Sequence, residues 1–284
     1  MQWWCAARGS AWTWSWQAYP GVWLFVLVVA LAYWRFLGLG RGPFARLGGT
    51  HAEATAVGRG VPPRGWPGWF LAGLLCLWLA LDWPIGALGA GYLASVHMLQ
   101  FVLITLIAPP LILLGVPAGR PEPRAGSRSL LRLVTHPLIA LVTFNLIIIF
   151  THLPSVVDTL MATQLGSFLI DMVWLVGGVV FWWPIILDSP ARPGFGHPMK
   201  IGYLILATIV NTGTFLYLTF SELPVYSIYE LAPPVYGIPA RDDQRMAGLL
   251  MKAGTAAVLW TAIGVLFYSW YREENDEAPS TSHA

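Results

Sequence analysis

Residues 97–117 read HMLQFVLITLIAPPLILLGVP, and this stretch decides the fold. About 20 consecutive apolar residues let a helix cross the hydrocarbon core of a membrane. The run is apolar except near its start, where His97 and Gln100 lie three residues apart and share one helical face. Pro109 and Pro110 remove backbone hydrogen bonds later in the run, which predicts a bend. An ionisable ring inside a span is costly unless it meets a partner, a cavity or a metal, so His97 is a candidate functional residue.

Composition places the whole chain among membrane proteins. Of its 284 residues 56% are hydrophobic and 11% are charged, and the mean hydropathy is +0.62. The net charge of +2 and the scattered arginines argue against nucleic acid as a partner. Cys5 and Cys76 predict neither a disulfide framework nor a paired-cysteine metal site.

The apolar runs predict an all-α, polytopic membrane protein with seven transmembrane helices. We expect a short extracytoplasmic N-terminal segment at 1–19, a seven-helix membrane domain at 20–271 and a disordered cytoplasmic tail at 272–284. The spans are expected at 20–37, 67–83, 91–117, 137–153, 164–187, 201–221 and 245–270. The arginine-bearing stretches 41–65 and 118–135 are expected to be irregular, water-exposed connections.

Positive charge predicts the orientation. With seven spans, eleven arginines and lysines lie on the side of the C-terminus and three on the side of the N-terminus. Positive residues concentrate on the cytoplasmic side of membrane proteins, so the N-terminus is expected outside and the C-terminus in the cytoplasm.

Polar residues of the spans then gather in the outer half of the membrane. Imidazole nitrogens and a methionine sulfur at similar depth suit copper, because the thioether favours Cu(I). Gln244, Gly248 and Met251 form one helical stripe, and Gly248 would let another helix approach closely. The gathered residues are His97, Gln100, His152, Asp171, Gln244 and Met251.

Each candidate also has a structural interpretation. His152 could hydrogen-bond a carbonyl at a helix end, and His97 could bond Gln100 or Asn211. Met246 and Met251 could simply fill the core. Asp171 and Lys252 could form an ion pair inside the membrane.

Five motifs in order resemble the CtaG-type cytochrome c oxidase assembly factors. They are HMLQ followed by APPLILLGVP, then THLP, GGVVFWWP, FSELPVY and DDQRMAGLLM, and the agreement runs from about residue 14 to 271. The resemblance implies a seven-helix protein of the bacterial plasma membrane that assists maturation of haem-copper oxidases and helps to supply their copper.

The resemblance also assigns residues. It places the family's histidines at His97 and His152, and its Asp-Gln pair and methionine at Asp243, Gln244 and Met251. Three positions depart from the family pattern: Phe101 and Asp171 stand where histidine is common, and Lys252 stands where tryptophan is common.

The function expected from these observations is assembly of a haem-copper oxidase, without catalysis, through copper delivery from the outer face. The partners are oxidase subunits and the lipid bilayer. No phosphate-binding loop, nucleophile elbow or zinc-protease motif is present to indicate an enzyme. The candidate copper ligands are His97, His152 and Met251, and the candidate supporting residues are Met98, Gln100, Asp171, Asp243, Gln244 and Met246.

Three alternatives stay open. The chain could be a metal-free assembly scaffold. It could be a metal-ion or small-solute transporter that uses Asp171 and Lys252 as a charge relay. It could also handle haem, if His97 and His152 face each other at matched depth.

Overall fold

The computed structural model describes residues 2–35, 65–117, 125–187, 195–210 and 212–277. Every regular element within these ranges is a helix, which confirms the all-α prediction for the described part of the chain. The α-helices are α1 (Pro20–Tyr33), α2 (Pro67–Leu81), α3 (Ile85–Gly91), α4 (Ala94–Val102), α5 (Ala108–Leu114), α6 (Ala125–Val134), α7 (Pro137–Thr151), α8 (Pro154–Leu160), α9 (Gln164–Ile186), α10 (His197–Val210), α11 (Thr212–Phe220), α12 (Ser227–Glu230) and α13 (Ala240–Glu277).

Four helices are long and apolar enough to cross a membrane, and up to six spans result if each of two bent pairs counts as one. The four are Ala94–Leu114, Gln164–Ile186, His197–Phe220 and Ala240–Asn275. The bent pairs are α2 with α3, at 47°, and α7 with α8, at 71°. α1 is apolar and has 14 residues within the described range. The seven-span topology and its orientation therefore stay predictions.

The double proline is accommodated by a change of helix type. Between α4 and α5 the backbone forms a π-helical turn over Leu103–Ile107, and the whole stretch Ala94–Leu114 continues as one span. Pro109 and Pro110 have no N–H to donate, so the preceding carbonyls need other geometry. A Cβ on Gly178 of α9 would collide with the carbonyl of Thr105 and with Pro109, so this glycine lets α9 pack directly on the π turn.

A short helix occupies part of a connection that was expected to be irregular. α6 lies inside the connection predicted at 118–135, so that prediction was wrong for residues 125–134. Leu130 and Leu133, three residues apart, are exposed on one side of α6, as expected for an amphipathic helix. Residues 118–124 of that connection and the stretch 41–64 lie outside the described residues.

α13 extends further than the sequence indicated. It continues to Glu277, so residues 272–277 of the expected disordered tail are helical. Asn275 donates to the carbonyl of Tyr271, and His197 lies 3.4 Å from Glu273. Glutamates are good helix formers, which favours this continuation. Residues 278–284 lie outside the described part.

One end of the bundle collects the residues that matter below, and we call it the site end. α4, α9 and α13 begin there, and α2 and α7 end there. Cross-helix contacts define it: Asp243 of α13 contacts Ala94 of α4, and Cys5 contacts the last residue of α2, Leu81.

Candidate functional site

Two histidines predicted as copper ligands lie close together at the site end. His97 is on the first turn of α4 and His152 directly follows α7, and their exposed fractions are 1% and 4%. Both rings pack on one indole, because the ring centroid of Trp174 is 4.8 Å from that of His97 and 6.0 Å from that of His152. Phe101 completes the wall, with its ring 5.3 Å from His152 and 5.2 Å from Trp174. We call this cluster of four side chains the histidine chamber.

The imidazole nitrogens of the histidine chamber are short of partners. His152 Nδ1 is 2.7 Å from the carbonyl of Ile148, so Nδ1 carries the proton and donates it. This leaves His152 Nε2 as a free lone pair. Among the described residues, that atom and both ring nitrogens of His97 are buried without a hydrogen-bond partner. Buried polar groups nearly always have hydrogen-bond partners, so these three nitrogens stand out as candidate ligand atoms.

Trp174 is held in position by the helix end that carries His152. Its indole Nε1 donates to Thr151 Oγ1 over 2.9 Å, and Thr151 Oγ1 lies 2.8 Å from the carbonyl of Ile147, to which it donates. The hydrogen bonds join α9 to the last turn of α7. They fix the indole plane against which both imidazoles rest.

Gln100 and Met98 flank the histidine on α4. Gln100 Nε2 donates to the carbonyl of Ala80 over 2.9 Å, which ties α4 to α2, while Gln100 Oε1 is buried and unpartnered among the described residues. Gly89 makes room for this amide, because a Cβ there would overlap Gln100 Oε1. Met98 is completely buried and packs in the core.

Two tyrosines, Tyr226 and Tyr229, cover the histidine chamber, and we call them the roof. Tyr229 of α12 has its ring centroid 5.9 Å from that of His97, and its hydroxyl donates to the carbonyl of Gly89 over 2.6 Å. Tyr226 donates to the carbonyl of His152 over 3.0 Å. Burial raises the pKa of both phenols well above its ordinary value, so both hydroxyls stay neutral donors. The carboxylate of Asp158 accepts from the backbone N–H groups of residues 227 and 228 and so caps α12.

Asp243 caps a helix other than its own. Its carboxylate accepts from the backbone N–H of Ala94 over 2.6 Å and from the N–H and hydroxyl of Ser95. These donors belong to the first turn of α4, which carries His97. The contact satisfies N–H groups that a helix start leaves unpaired, and its negative charge suits the positive end of the helix dipole. Asp243 thereby positions His97.

Gln244 holds the connection that leads to the roof. Gln244 Oε1 accepts from the backbone N–H of Val225 over 2.5 Å, and Nε2 donates to the carbonyls of Leu218 and Leu223 over 3.3 and 3.4 Å. Gly248 faces the same way, because a Cβ there would collide with Thr219 of α11. The close helix approach predicted at Gly248 is confirmed.

The two methionines of α13 differ in their surroundings. Met251 is 2% exposed and lines a small cleft between α13 and the helices α10 and α11, and neither histidine lines this cleft. Lys252 lines the same cleft and donates to Thr212 Oγ1 over 2.8 Å and to the carbonyl of Thr208 over 3.4 Å. Met246 is 53% exposed on the helix surface.

Asp171 is paired with the N-terminal segment. Trp4 Nε1 donates to Asp171 Oδ2 over 2.7 Å, and the two residues are 1% and 4% exposed. Lys252 has its partners on α10 and α11, so the ion pair between Asp171 and Lys252 considered from the sequence is not formed in the structure.

Several residues of the site were not singled out by sequence. Trp174 and Phe101 look like core residues in an apolar run, and only Phe101 was noted, as a departure from a motif. Tyr226 stands in FSELPVY, and a polar-tipped ring inside a motif was the one available signal for the roof. Nothing in the sequence marked Asp158 or Tyr229.

Taken together, the fold and the site define an all-helical protein with membrane-spanning helices and a buried histidine pair at one end. The chain matches the cytochrome c oxidase caa3 assembly factors (Caa3_CtaG) over residues 48–273. It belongs to this family of cytochrome c oxidase assembly factors. No curated protein matches the chain. No solved structure matches it either.

Proposed function

We propose that this chain assists maturation of a haem-copper cytochrome c oxidase by holding Cu(I) between His97 and His152 and passing it to an oxidase subunit. Copper is here the cargo. The observation that supports the proposal is the set of three unpartnered ring nitrogens in the buried histidine chamber. Imidazole is a good copper ligand, and a neutral ring with one fixed Nδ1–H offers its other nitrogen to a metal.

The ligand set suits transient binding. Among the described residues, no group of three or more His, Cys, Asp and Glu side chains could hold a metal ion. Two imidazoles alone leave coordination positions free, so a donor from the oxidase could displace them one at a time. A carrier has to release its cargo, and a site completed by its recipient does so readily.

The remaining residues support the pair in this proposal. Asp243 positions α4 and Gln244 holds the roof connection. Gln100 and Met98 fix the helix face that carries His97. Met251 lines a separate cleft, so we assign the copper ion to the imidazoles and treat the thioether as a residue to be tested.

The setting of the proposal is the bacterial plasma membrane. We retain seven spans with the N-terminus outside, which puts the site end at the outer face, where the charge bias of the sequence locates it. The transporter alternative loses support, because Asp171 and Lys252 each have other partners.

A metal-free scaffold is the second candidate, and Phe101 favours it. An aromatic ring, 1% exposed, fills the position one helical turn after His97 where the family commonly has histidine. A chain with this ring could keep the fold and its oxidase contacts without copper.

Copper loading under reducing conditions separates the two candidates. We expect the detergent-purified protein to bind about one Cu(I) per chain and the His97→Ala, His152→Ala variant to bind almost none, because both nitrogens are removed. His136→Ala, at an exposed histidine preceding α7, is the matched control and should bind as the parent does. Met251→Leu keeps the side-chain volume and should also leave the stoichiometry unchanged. Equal, negligible copper in parent and double variant would favour the scaffold.

A further inference from the structure

The first residues of the chain are inserted into the helix bundle. Residues 2–7, which we call the plug, run between the end of α2 with α3 on one side and the start of α9 on the other. The backbone N–H of Trp3 donates to Gln164 Oε1 over 2.7 Å, and that of Ala7 donates to the carbonyl of Met161 over 3.3 Å. Trp4, Cys5 and Ala6 are 1%, 3% and 5% exposed. The plug therefore lies in a groove, whose sides are the end of α2 with α3 and the start of α9.

Small residues shape the groove. A Cβ on Gly91 of α3 would come to 2.5 Å from Ala7 Cα, and one on Gly86 would come to 2.8 Å from Cys5 Sγ. Cys5 Sγ also lies 3.3 Å from the carbonyl of Leu81, to which it donates. The fit is therefore close at Cys5 and at Ala7. A larger residue at Gly91 would collide with Ala7, whereas one at Gly86 would meet the Leu81 carbonyl before it met Cys5.

Trp4 is the deepest residue of the plug. Its ring packs edge-on against Phe168, with centroids 5.0 Å apart, and its indole nitrogen donates to the Asp171 carboxyl. Asp171 precedes Trp174 by three residues on α9, so the two side chains lie on one face of the helix. Trp174 is the wall against which both imidazoles rest. The plug thus hydrogen-bonds the Asp171 carboxyl group, which lies next to the histidine chamber.

The plug and its groove differ in their relation to the family. The groove residues 81–91 and 161–171 lie within the matched range 48–273, whereas the plug lies outside it. The groove is thus part of the family domain, and the plug precedes the matched range in the chain.

We infer that residues 2–7 form a removable plug, held by the Trp4 indole on Asp171, that closes the groove beside the histidine chamber and withdraws to admit the cargo. Withdrawal exposes a carboxyl group that attracts a cation one helical turn from the chamber wall. The part of the inference that concerns cargo rests on the copper function proposed above. The part that concerns the latch stands on the geometry of the plug alone.

Cys5 reports the state of the plug. Burial, and then the nearby charge of Asp171, raises the pKa of the Cys5 thiol, so a seated Cys5 is both covered and protonated. In a Cys76→Ala background, a membrane-impermeant maleimide should label Cys5 at least about tenfold more slowly than a Ser10→Cys reporter in a cysteine-free chain, because residue 10 is exposed.

Trp4→Phe tests the latch. It keeps an aromatic ring and removes the N–H donor, and we expect Cys5 labelling to accelerate about tenfold, since the buried hydrogen bond from the indole to the Asp171 carboxyl is the interaction lost. Trp3→Phe is the matched control and should leave the labelling rate unchanged, because the Trp3 hydrogen bond comes from its backbone and phenylalanine keeps an aromatic ring against Trp4 and Phe168. Labelling of Cys5 as fast as the residue 10 reporter, or no response to Trp4→Phe, would overturn the inference.

Copper uptake tests the gate separately. In a chain with Cys5→Ala and Cys76→Ala, we expect Trp4→Phe to load Cu(I) several-fold faster than its parent at equal final stoichiometry. Equal loading rates would overturn the gate and leave the copper function standing. No copper in either protein would refute the copper function, and the labelling experiment would still decide whether the plug is seated and latched.

Discussion

At the scale of single residues, Phe101 sets the number of nitrogens that the histidine chamber can offer. It lies one helical turn after His97, and its ring faces both His152 and Trp174. An imidazole in its place would point into the same space. We predict that Phe101→His raises the Cu(I) affinity by about tenfold or more, as one further ligand bond worth at least 1.4 kcal/mol would do. Competition with a chromophoric Cu(I) chelator measures this affinity.

Phe101→Leu is the control for the change in packing. Both variants lose the buried phenyl ring and should lose about 1–2 kcal/mol of stability, but leucine supplies no nitrogen. If the histidine variant bound copper no more tightly than the leucine variant, position 101 would not face the ion and the assignment of the histidine chamber would be wrong.

The sequence could indicate His97 and His152 because polar rings in or beside apolar runs stand out. It could not indicate Trp174, which has the same character as any core residue of a span. Depth along the helices was also readable, since helices rise by a fixed length per residue. The rotation of each helix about its own axis was not readable, so the sequence could not indicate that Met251 lines a cleft together with Lys252.

At the scale of elements, the start of α4 depends on a carboxylate from α13. Asp243 accepts from the N–H groups of Ala94 and Ser95, two donors that α4 cannot satisfy itself. We predict that Asp243→Ala lowers the free energy of unfolding by about 2 kcal/mol, the range for hydrogen bonds to a charged group. The apparent Tm in detergent measures the loss, and Cu(I) loading should weaken with it because His97 is on the same turn.

Asp242→Ala is the matched control for this cap. Asp242 is exposed, and the contact that the structure gives it is a 3.9 Å pair with Arg245. Exposed pairs contribute little to stability, so the apparent Tm should hardly move. A loss equal to that of Asp243→Ala would mean that general charge at the start of α13, rather than the contact with α4, stabilises the site end.

The sequence predicted the helices correctly where an apolar run was long enough to cross a membrane. Each predicted span coincides with at least one helix, because a long apolar run has few other structures open to it in a membrane. The short helices α3, α8 and α12 have seven, seven and four residues, below the length at which periodicity is readable. Pro84 and Pro154 precede or begin two of them, and a proline reads equally well as the end of one helix or the start of the next.

At the scale of the whole molecule, the two ends of the described chain lie at opposite ends of the bundle. The N-terminal segment contacts the site end, where Tyr92 donates to the carbonyl of Ser10. α13 also begins at the site end, and its 38 residues extend about 57 Å away from it. A single crossing by α13 therefore separates residue 10 from residue 274, however many spans precede it. The seven-span prediction requires the same separation of the two ends.

This arrangement predicts a labelling pattern in intact spheroplasts. Ser10→Cys, in a chain with Cys5→Ala and Cys76→Ala, should react with an impermeant maleimide from outside, because the charge bias puts the site end at the outer face. Glu274→Cys in the same background should react only after the membrane is opened. The reverse pattern would place the histidine chamber on the cytoplasmic side, and delivery of copper from the outer face would then be excluded. Labelling of both positions from outside would refute the crossing by α13 itself.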